Sequence, residues 1–365
     1  MKILHIITND KFTIGYINFM KRYMKKYEHS FLISIYNYSG ETGKRSDLID
    51  EENVEYYSDS KWLAFSGKVR QMVREADKII VSGVFGVEMM IFFWPQFAFN
   101  KMYLQYWGGD FYQVREKIKF GDWRRWIQRR MLLSCFKRSY GAIYLIEGEY
   151  EKYKDITGIQ KKHVYVAGVP GDPQKKYDYT LYRKNAYNGL LKIVVGNSAT
   201  NENHHKEIFE KLAHLKDEEI EIYCPLSYGD DRYRDEIISY GVNVFGRKFH
   251  AITEWMKLKD YNQFLADCQV GIFNNDRQQA MGNIFAMLQM GRKVYLRTDT
   301  SMFKNYQKKG FVIYDVNELD NITMKEITDF PERDRNIQVA ETWDYIQDNI
   351  SEWRNIFNGN QLFDK

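Results

Sequence analysis

The chain has 365 residues, 44% of them hydrophobic and 16% aromatic, with a formal net charge of +4. A single core rarely organises more than about 250 to 300 residues, so two domains are expected, and the apolar content excludes a disordered chain or a fibre. The mild positive charge establishes no partner by itself, while the three cysteines, Cys135, Cys224 and Cys268, form no CxxC pair, which excludes a zinc knuckle or a disulfide framework and suits a reducing cytoplasm.

Taken in chain order, KILHII opens as a buried strand rather than a signal peptide. An amphipathic stretch from Ile14 to Tyr27 follows, then FLISIY, VEYY, a helical stretch around Trp62 to Val73, and KIIVSG. From Ile79 to Phe99 the chain is apolar over a length that could cross a bilayer. Glu88 at its centre, with Gly83, Gly86 and Pro95, makes strand, turn and apolar helix the better expectation. MYLQYW, a long helix, AIYLI and HVYVAG complete a series of parallel βαβ units. Residues 171–190 lack apolar periodicity and read as a linker.

The alternation then restarts with LKIVVGN, EIEIYCP, VNVFG, VGIFNN, KVYLR and FVIYDV as strands between helices. The tail holds Trp343, Ile346, Ile350, Trp353 and Ile356 at spacings near three and four, which predicts one or two terminal helices. The expected fold class is therefore α/β: two Rossmann-like doubly wound domains facing a cleft. Residues 1–170 form the first domain, 191–330 the second, and 331–365 the terminal helices. Ligands of such sheets bind at the carboxyl ends of the strands.

Several motifs are missing: GxGxxG, GxxxxGK[ST], HExxH, GxSxG and DxD, so no metal and no cofactor is expected. GNSATNENHH, Gly196 to His205, follows a strand and opens a helix, where backbone N–H groups and a helix N-terminus meet an anion. Gly196 permits close backbone approach, and Asn197, Ser198, Thr200 and Asn203 supply neutral hydrogen-bonding groups, as they would in an ordinary capped βα loop. His204 and His205 either donate to phosphate or are solvated first-turn residues. NNDRQQAMGN, Asn274 to Asn283, again lies between strand and helix, with Arg277 as a fork for phosphate and Gln278, Gln279, Gly282 and Asn283 suited to sugar hydroxyls; a polar helix start capped by Asp276 is the bland alternative. CPLSYG, with Pro225, Tyr228 and Gly229, is a loop that can reach a ligand, though taken alone it is a common turn.

In the first half, YWGGDFY offers Trp107 as an aromatic surface for a sugar ring and Asp110 as a carboxylate able to take a hydroxyl proton, or as a helix cap. Just beyond, Trp123, Arg124, Arg125, Trp126, Arg129 and Arg130 make a basic, tryptophan-bearing helix that fits an anionic membrane surface. A solvated helix face has the same pattern. Nothing else in the chain supports a nucleic-acid stripe.

LKIVVGNSATNENHH, PLSYG and TEWMKLKDYNQFLADCQVGIFNNDRQQAMGNI together resemble the TDP-N-acetylfucosamine:lipid II N-acetylfucosaminyltransferase family, glycosyltransferase family 56, and WGGD looks like that family's WGxD. The resemblance runs from about Ile79 to Tyr314. It implies a two-domain sugar transferase of the GT-B type acting on a polyprenyl-diphosphate-linked saccharide at the cytoplasmic face of the cell membrane, as a peripheral protein. It further implies a nucleotide-sugar donor with its diphosphate against Gly196 to Asn203, Glu254 and the TEWM loop near the nucleoside, Arg277 to Asn283 near phosphate and sugar, and Asp110 as base. The E-x7-E spacing of many retaining enzymes is missing, since Ile284 stands eight residues after Asp276, so the stereochemistry is open. A nucleotide-sugar 2-epimerase of the same fold and a non-catalytic saccharide binder are the competing readings.

Overall fold

Strands covered on both faces read as unbroken apolar runs, which is how Ile3 to Ile7 and Ile79 to Val81 come to be buried without alternation. The computed structural model describes residues 1–9, 12–37, 53–57, 65–84, 86–119, 121–170, 178–183 and 187–359. The chain divides into two compact units, Met1–Lys176 with Asp344–Lys365, and Tyr177–Trp343.

In the first unit β1 (Lys2–Asn9), β2 (Glu28–Asn37), β3 (Val54–Tyr57), β4 (Lys78–Ser82), β5 (Met102–Tyr106), β6 (Gly141–Tyr144) and β7 (Lys162–Tyr165) form one sheet in the order β3-β2-β1-β4-β5-β6-β7. Every pairing is parallel. One face buries Leu4, Ile6, Ile79, Val81, Leu104 and Ala142, the other Ile3, Ile7, Ile80, Tyr103 and Ile143. In the second unit β8 (Leu191–Val195), β9 (Ile220–Pro225), β10 (Phe249–Ile252), β11 (Val270–Phe273), β12 (Lys293–Leu296) and β13 (Tyr314–Asp315) are ordered β10-β9-β8-β11-β12-β13, again parallel. Each sheet reverses direction of travel beside its first strand, at β1/β4 and at β8/β11, and such switch points are where doubly wound folds take ligands.

The apolar stretch from Ile79 to Phe99 is a strand followed by the one-turn helices Glu88–Ile91 and Gln96–Phe99, and its Val84, Val87, Met90, Ile91, Trp94, Ala98 and Phe99 enter the core. Among the described residues no helix is long and apolar enough to cross a membrane. The helix expected around Trp62 to Val73 spans Gly67–Glu75; Trp62 itself lies outside the described residues, as do 171–177 and 184–186 of the expected linker.

VNVFG departs from expectation. It is the end of the helix Asp231–Phe245, and the strand comes after it, at Phe249–Ile252. Ile237, Gly241 and Phe245 recur every fourth residue and are the helix's buried side, which outweighs the β preference of two valines. Glycine is required at 241 because a Cβ there would lie 2.4 Å from the Phe249 ring. FVIYDV likewise contributes only the two-residue β13.

The tail forms the helices Arg333–Thr342 and Tyr345–Asn358, and they part company: the second belongs to the first unit. Its Ile350, Trp353, Ile356 and Phe357 cover the face that holds Ile3, Ile7 and Tyr16, with Trp353 edge-on to Tyr16 at 5.7 Å. Glu352 accepts the Ala167 N–H at 2.6 Å, and Tyr27 donates to Asn358 at 2.7 Å. A fully buried tryptophan contributes some 200 Å² of apolar contact, enough to fix where a terminal helix docks.

Candidate functional site

The two polar motifs of the second unit leave the carboxyl ends of β8 and β11, the strands on either side of its switch point. After β8 the chain turns at Gly196 with φ +71, where a Cβ would fall 2.4 Å from His205 Nε2 and 3.0 Å from Asn203 Oδ1. The turn is therefore restricted to glycine. It is closed by Asn203, whose Oδ1 accepts the Asn197 N–H at 3.0 Å while its Nδ2 donates to Ser198 Oγ at 3.1 Å and Thr200 Oγ1 at 2.8 Å. The helix His205–Leu212 starts here, and its first N–H groups have no intrahelical acceptor.

Asn275, at the end of β11, locks the second loop to the first. Its Nδ2 donates to Asn197 Oδ1 at 3.2 Å, Asn203 Oδ1 at 3.1 Å and Gln279 Oε1 at 2.7 Å. Asn203 Oδ1 already accepts a backbone N–H, so the Asn275 atom facing it must be the amide nitrogen. A third loop joins through Gly229, at φ +125, which bridges Ala199 so closely that a Cβ would lie 2.3 Å from the Ala199 carbonyl oxygen. Tyr228, half-exposed, accepts from Asn197 Nδ2 at 2.9 Å. Pro225 is buried at the end of β9, beside Ile252 of β10, and the exposed Glu254 follows β10. Gln278 is buried, Gly282 has open space where a side chain would be, and Asn283 donates to Tyr261 at 2.9 Å. Thus Gly196, Asn197, Ser198, Thr200, Asn203, Tyr228, Gly229 and Gln279 share one hydrogen-bonded cluster, whereas Asn283 bonds to the helix Leu258–Asp267 instead.

Many of the loop's own N–H groups are engaged internally: Asn197 with Asn203, Ala199 with Tyr228, Thr200 with Ser198. The groups suited to an anion are hence the helix N-terminus and the cations beside it. Arg277 Nε lies 2.9 Å from Glu202 Oε1 and its Nη2 3.4 Å from Oε2, a two-pronged pair across the two loops. His204 Nε2 lies 2.7 Å from Asp276 Oδ2, and Arg297, after β12, is 3.6 Å from the other oxygen of Asp276. Sequence reasoning did not single out Glu202, Asn275 and Arg297; Asn275 and Arg297 closely follow β11 and β12, whereas Glu202 lies well past the end of β8. Such reasoning had no means to see that His204 and Ala280 hold φ of +47 and +54, a left-handed conformation costly for residues other than glycine and found at the starts of both helices.

The two adjacent histidines are shifted in opposite directions. His205 is buried, its Nδ1 3.1 Å from Tyr233 OH, and burial lowers its pKa to about 3, so it stays neutral. For His204 the hydrogen bond to Asp276 raises the pKa above the ordinary 6.5, although partial burial opposes this. A raised folded-state pKa favours the charged form, so its contribution is complete at low pH and is lost as pH rises through the raised value. Binding of a nucleoside diphosphate is accordingly expected to weaken as pH rises above 6.5 through that value. His204→Gln should flatten this dependence, and Asp276→Asn should move its midpoint down. An unchanged pH profile in both variants would show that His204 does not meet the phosphate.

In the first unit Asp110 is fully buried in the first turn after β5. Its carboxylate accepts the Trp107 N–H at 3.1 Å and the Val84 N–H at 3.3 Å, joining the loops after β5 and β4. Trp107 Nε1 donates to Ser82 Oγ at 3.1 Å, and its ring lies 5.4 Å from that of Phe12. The basic helix spans Trp123–Arg138 and is capped by Asp122. It buries Met131, Leu132, Cys135 and Phe136 and leaves Trp123, Arg124, Arg125 and Trp126 exposed.

Two parallel sheets of Rossmann-like order, with polar loops gathered at a switch point, make up the GT-B type of fold. Solved structures bear this out at the level of the fold. WaaG, a glycosyltransferase involved in lipopolysaccharide biosynthesis, superposes with a TM-score of 0.60 at 10% identity, covering 99% of this chain and 100% of that one. A glycosyltransferase from Rickettsia africae gives 0.57 at 11%, covering 98% and 93%, and a UDP-forming trehalose-phosphate synthase from Burkholderia xenovorans 0.58 at 9%, covering 98% of each. The family of 4-alpha-L-fucosyltransferases, glycosyl transferase group 56, matches residues 2–357. The chain belongs to that family and is a glycosyltransferase; the match extends well beyond the segment in which the motifs were recognised.

Proposed function

We propose that the protein moves a deoxy-amino sugar, N-acetylfucosamine by the family resemblance, from a nucleoside-diphosphate donor, TDP by the same resemblance, to a polyprenyl-diphosphate-linked saccharide in bacterial surface polysaccharide synthesis. The second unit holds the donor and the first presents the acceptor, at the cytoplasmic face of the membrane. The observation that carries the donor assignment is the bond from Asn275 to Asn197 and Asn203, which draws two polar loops together at the switch point beside a helix N-terminus. There the helix dipole, Arg277 and His204 stabilise the leaving diphosphate without a metal. The anomeric carbon–oxygen bond to phosphate breaks and the acceptor hydroxyl oxygen bonds to that carbon; if the centre inverts, Asp110 is the base that takes the hydroxyl proton. The basic helix meets anionic lipid through Arg124, Arg125, Arg129 and Arg130.

Calorimetric titration with TDP, UDP, GDP and CMP, with and without magnesium, tests this reading. Selective binding of one nucleotide, independent of magnesium and lost on Asn197→Ala, is expected. Failure to bind any of the four would remove the donor site from the second unit, and a requirement for magnesium would overturn the metal-free mechanism.

A further inference from the structure

Charge alone holds a protein to a membrane only while salt is low; apolar surface beside the charge holds it there in salt. Among the described residues, six of the fifteen exposed large hydrophobic side chains fall between residues 65 and 127 of the first unit: Phe65, Phe93, Phe97, Trp123, Trp126 and Ile127. The last three lie on the basic helix, with Trp123 64% exposed. Phe93 and Phe97 belong to the apolar stretch from Ile79 to Phe99, most of which packs inward, yet Phe93 is 55% exposed.

The hydrogen bonds hold the segment that carries Phe93 and Phe97 against the same helix whose amino end carries Trp123, Trp126 and Ile127. Gln128, in the middle of the helix, donates to Glu88 at 2.8 Å. At the helix's far end Arg138 donates to the Phe92 and Trp94 carbonyls at 2.8 and 2.6 Å and to Gln96 at 3.2 Å. The segment from Glu88 to Phe97 is thus strapped along the helix from its centre to its carboxyl end, and Phe93 and Phe97 emerge beside it. Phe65 joins them, its ring 5.9 Å from that of Phe93.

Nearly every exposed ring has a cation against it: Arg130 4.4 Å from the Trp126 ring, Arg124 5.6 Å from Trp123, Arg70 5.9 Å from Phe65 and Lys101 5.7 Å from Phe97. Long basic side chains keep their heads in water or among phosphates while their stems and the neighbouring rings lie in an apolar layer. Ring and cation repeated in this way match the boundary between lipid phosphates and acyl chains.

We propose that Phe65, Phe93 and Phe97, with Trp123, Trp126 and Ile127, form the apolar anchor by which this face enters an anionic bilayer. The anchor extends the membrane reading of the basic helix, on which it rests, to a second segment of chain that the helix alone does not imply. It divides the labour: arginines supply the salt-sensitive part of binding, phenylalanines the salt-resistant part.

Co-sedimentation with vesicles of phosphatidylcholine and phosphatidylglycerol, at about 0.1 M and about 1 M salt, separates the two. Three full-length proteins are compared: the natural chain, the variant with Arg124, Arg125, Arg129 and Arg130 changed to Gln, and the variant Phe65→Ser, Phe93→Ser, Phe97→Ser. The phenylalanine variant is expected to lose at least about tenfold of the partitioning that survives high salt, and the arginine variant chiefly the part seen at low salt. Equal high-salt partitioning of the natural chain and the phenylalanine variant would overturn the anchor and leave the membrane reading standing. No binding by the natural chain would remove both. Loss of a dimer in sedimentation velocity, with vesicle binding unchanged, would assign the face to a second copy and overturn the proposal. Circular dichroism checks folding; should the triple variant unfold, Phe93→Ser with Phe97→Ser carries the same comparison.

Discussion

Arg277→Ala is expected to lower the rate of sugar transfer by at least about a hundredfold, the scale on which loss of one preorganised electrostatic donor acts. As the anomeric bond breaks, charge collects on the leaving diphosphate, and a guanidinium meets it with parallel N–H groups held in one plane. Glu202 engages Nε and Nη2 and so holds the fork in a single orientation. Stability does not account for such a loss: a hundredfold is about 2.7 kcal/mol, whereas a partly exposed pair such as this contributes about 0 to 1 kcal/mol. Glu202→Gln keeps the cation but loosens its hold, so its rate should fall between those of the natural enzyme and Arg277→Ala. Steady-state turnover and thermal unfolding of both variants test this, and an unchanged turnover in Arg277→Ala would take the residue out of the site.

Asp110→Asn is the second large effect. Transfer is expected to fall below detection while nucleotide affinity stays nearly unchanged, because Asp110 lies in the first unit and the loops proposed to hold the donor lie in the second. The substitution also turns an acceptor oxygen into an NH2 group facing the N–H groups of Trp107 or Val84, a buried mismatch of about 1 to 3 kcal/mol. The two consequences can be measured apart. Loss of transfer at temperatures far below unfolding supports the proton-accepting role. Transfer that declines only in step with unfolding means that the carboxylate serves to hold the loops after β4 and β5. Full transfer with normal stability would leave Asp110 without either role.

The polar loops after β8 and β11 were legible because their residue types and their place between a strand and a helix are local facts. Gly196 and Gly229 stand where only glycine fits, and Asn203 closes a turn within its own motif. What these side chains bind was not legible. Arg277 was read as free to meet phosphate, yet its partner Glu202 is 75 residues away in sequence and adjacent only because β8 and β11 pair. The same holds for His204, whose pKa is raised because Asp276 is brought to it from the other loop.

By itself, then, the sequence determined the class of fold, since parallel strands buried on both faces impose apolar runs and crossover helices impose the alternation. It also determined the polar loops at the strand ends and the basic helix with its tryptophans. Tertiary structure alone decided that VNVFG is helical, that Tyr345–Asn358 returns to the first unit, that Phe93 and Phe97 turn outward, and which carboxylate holds each cation. These are outcomes of packing between residues distant in the chain, where a buried Trp353 or a missing Cβ at Gly241 outweighs local preference by energies that no single segment carries.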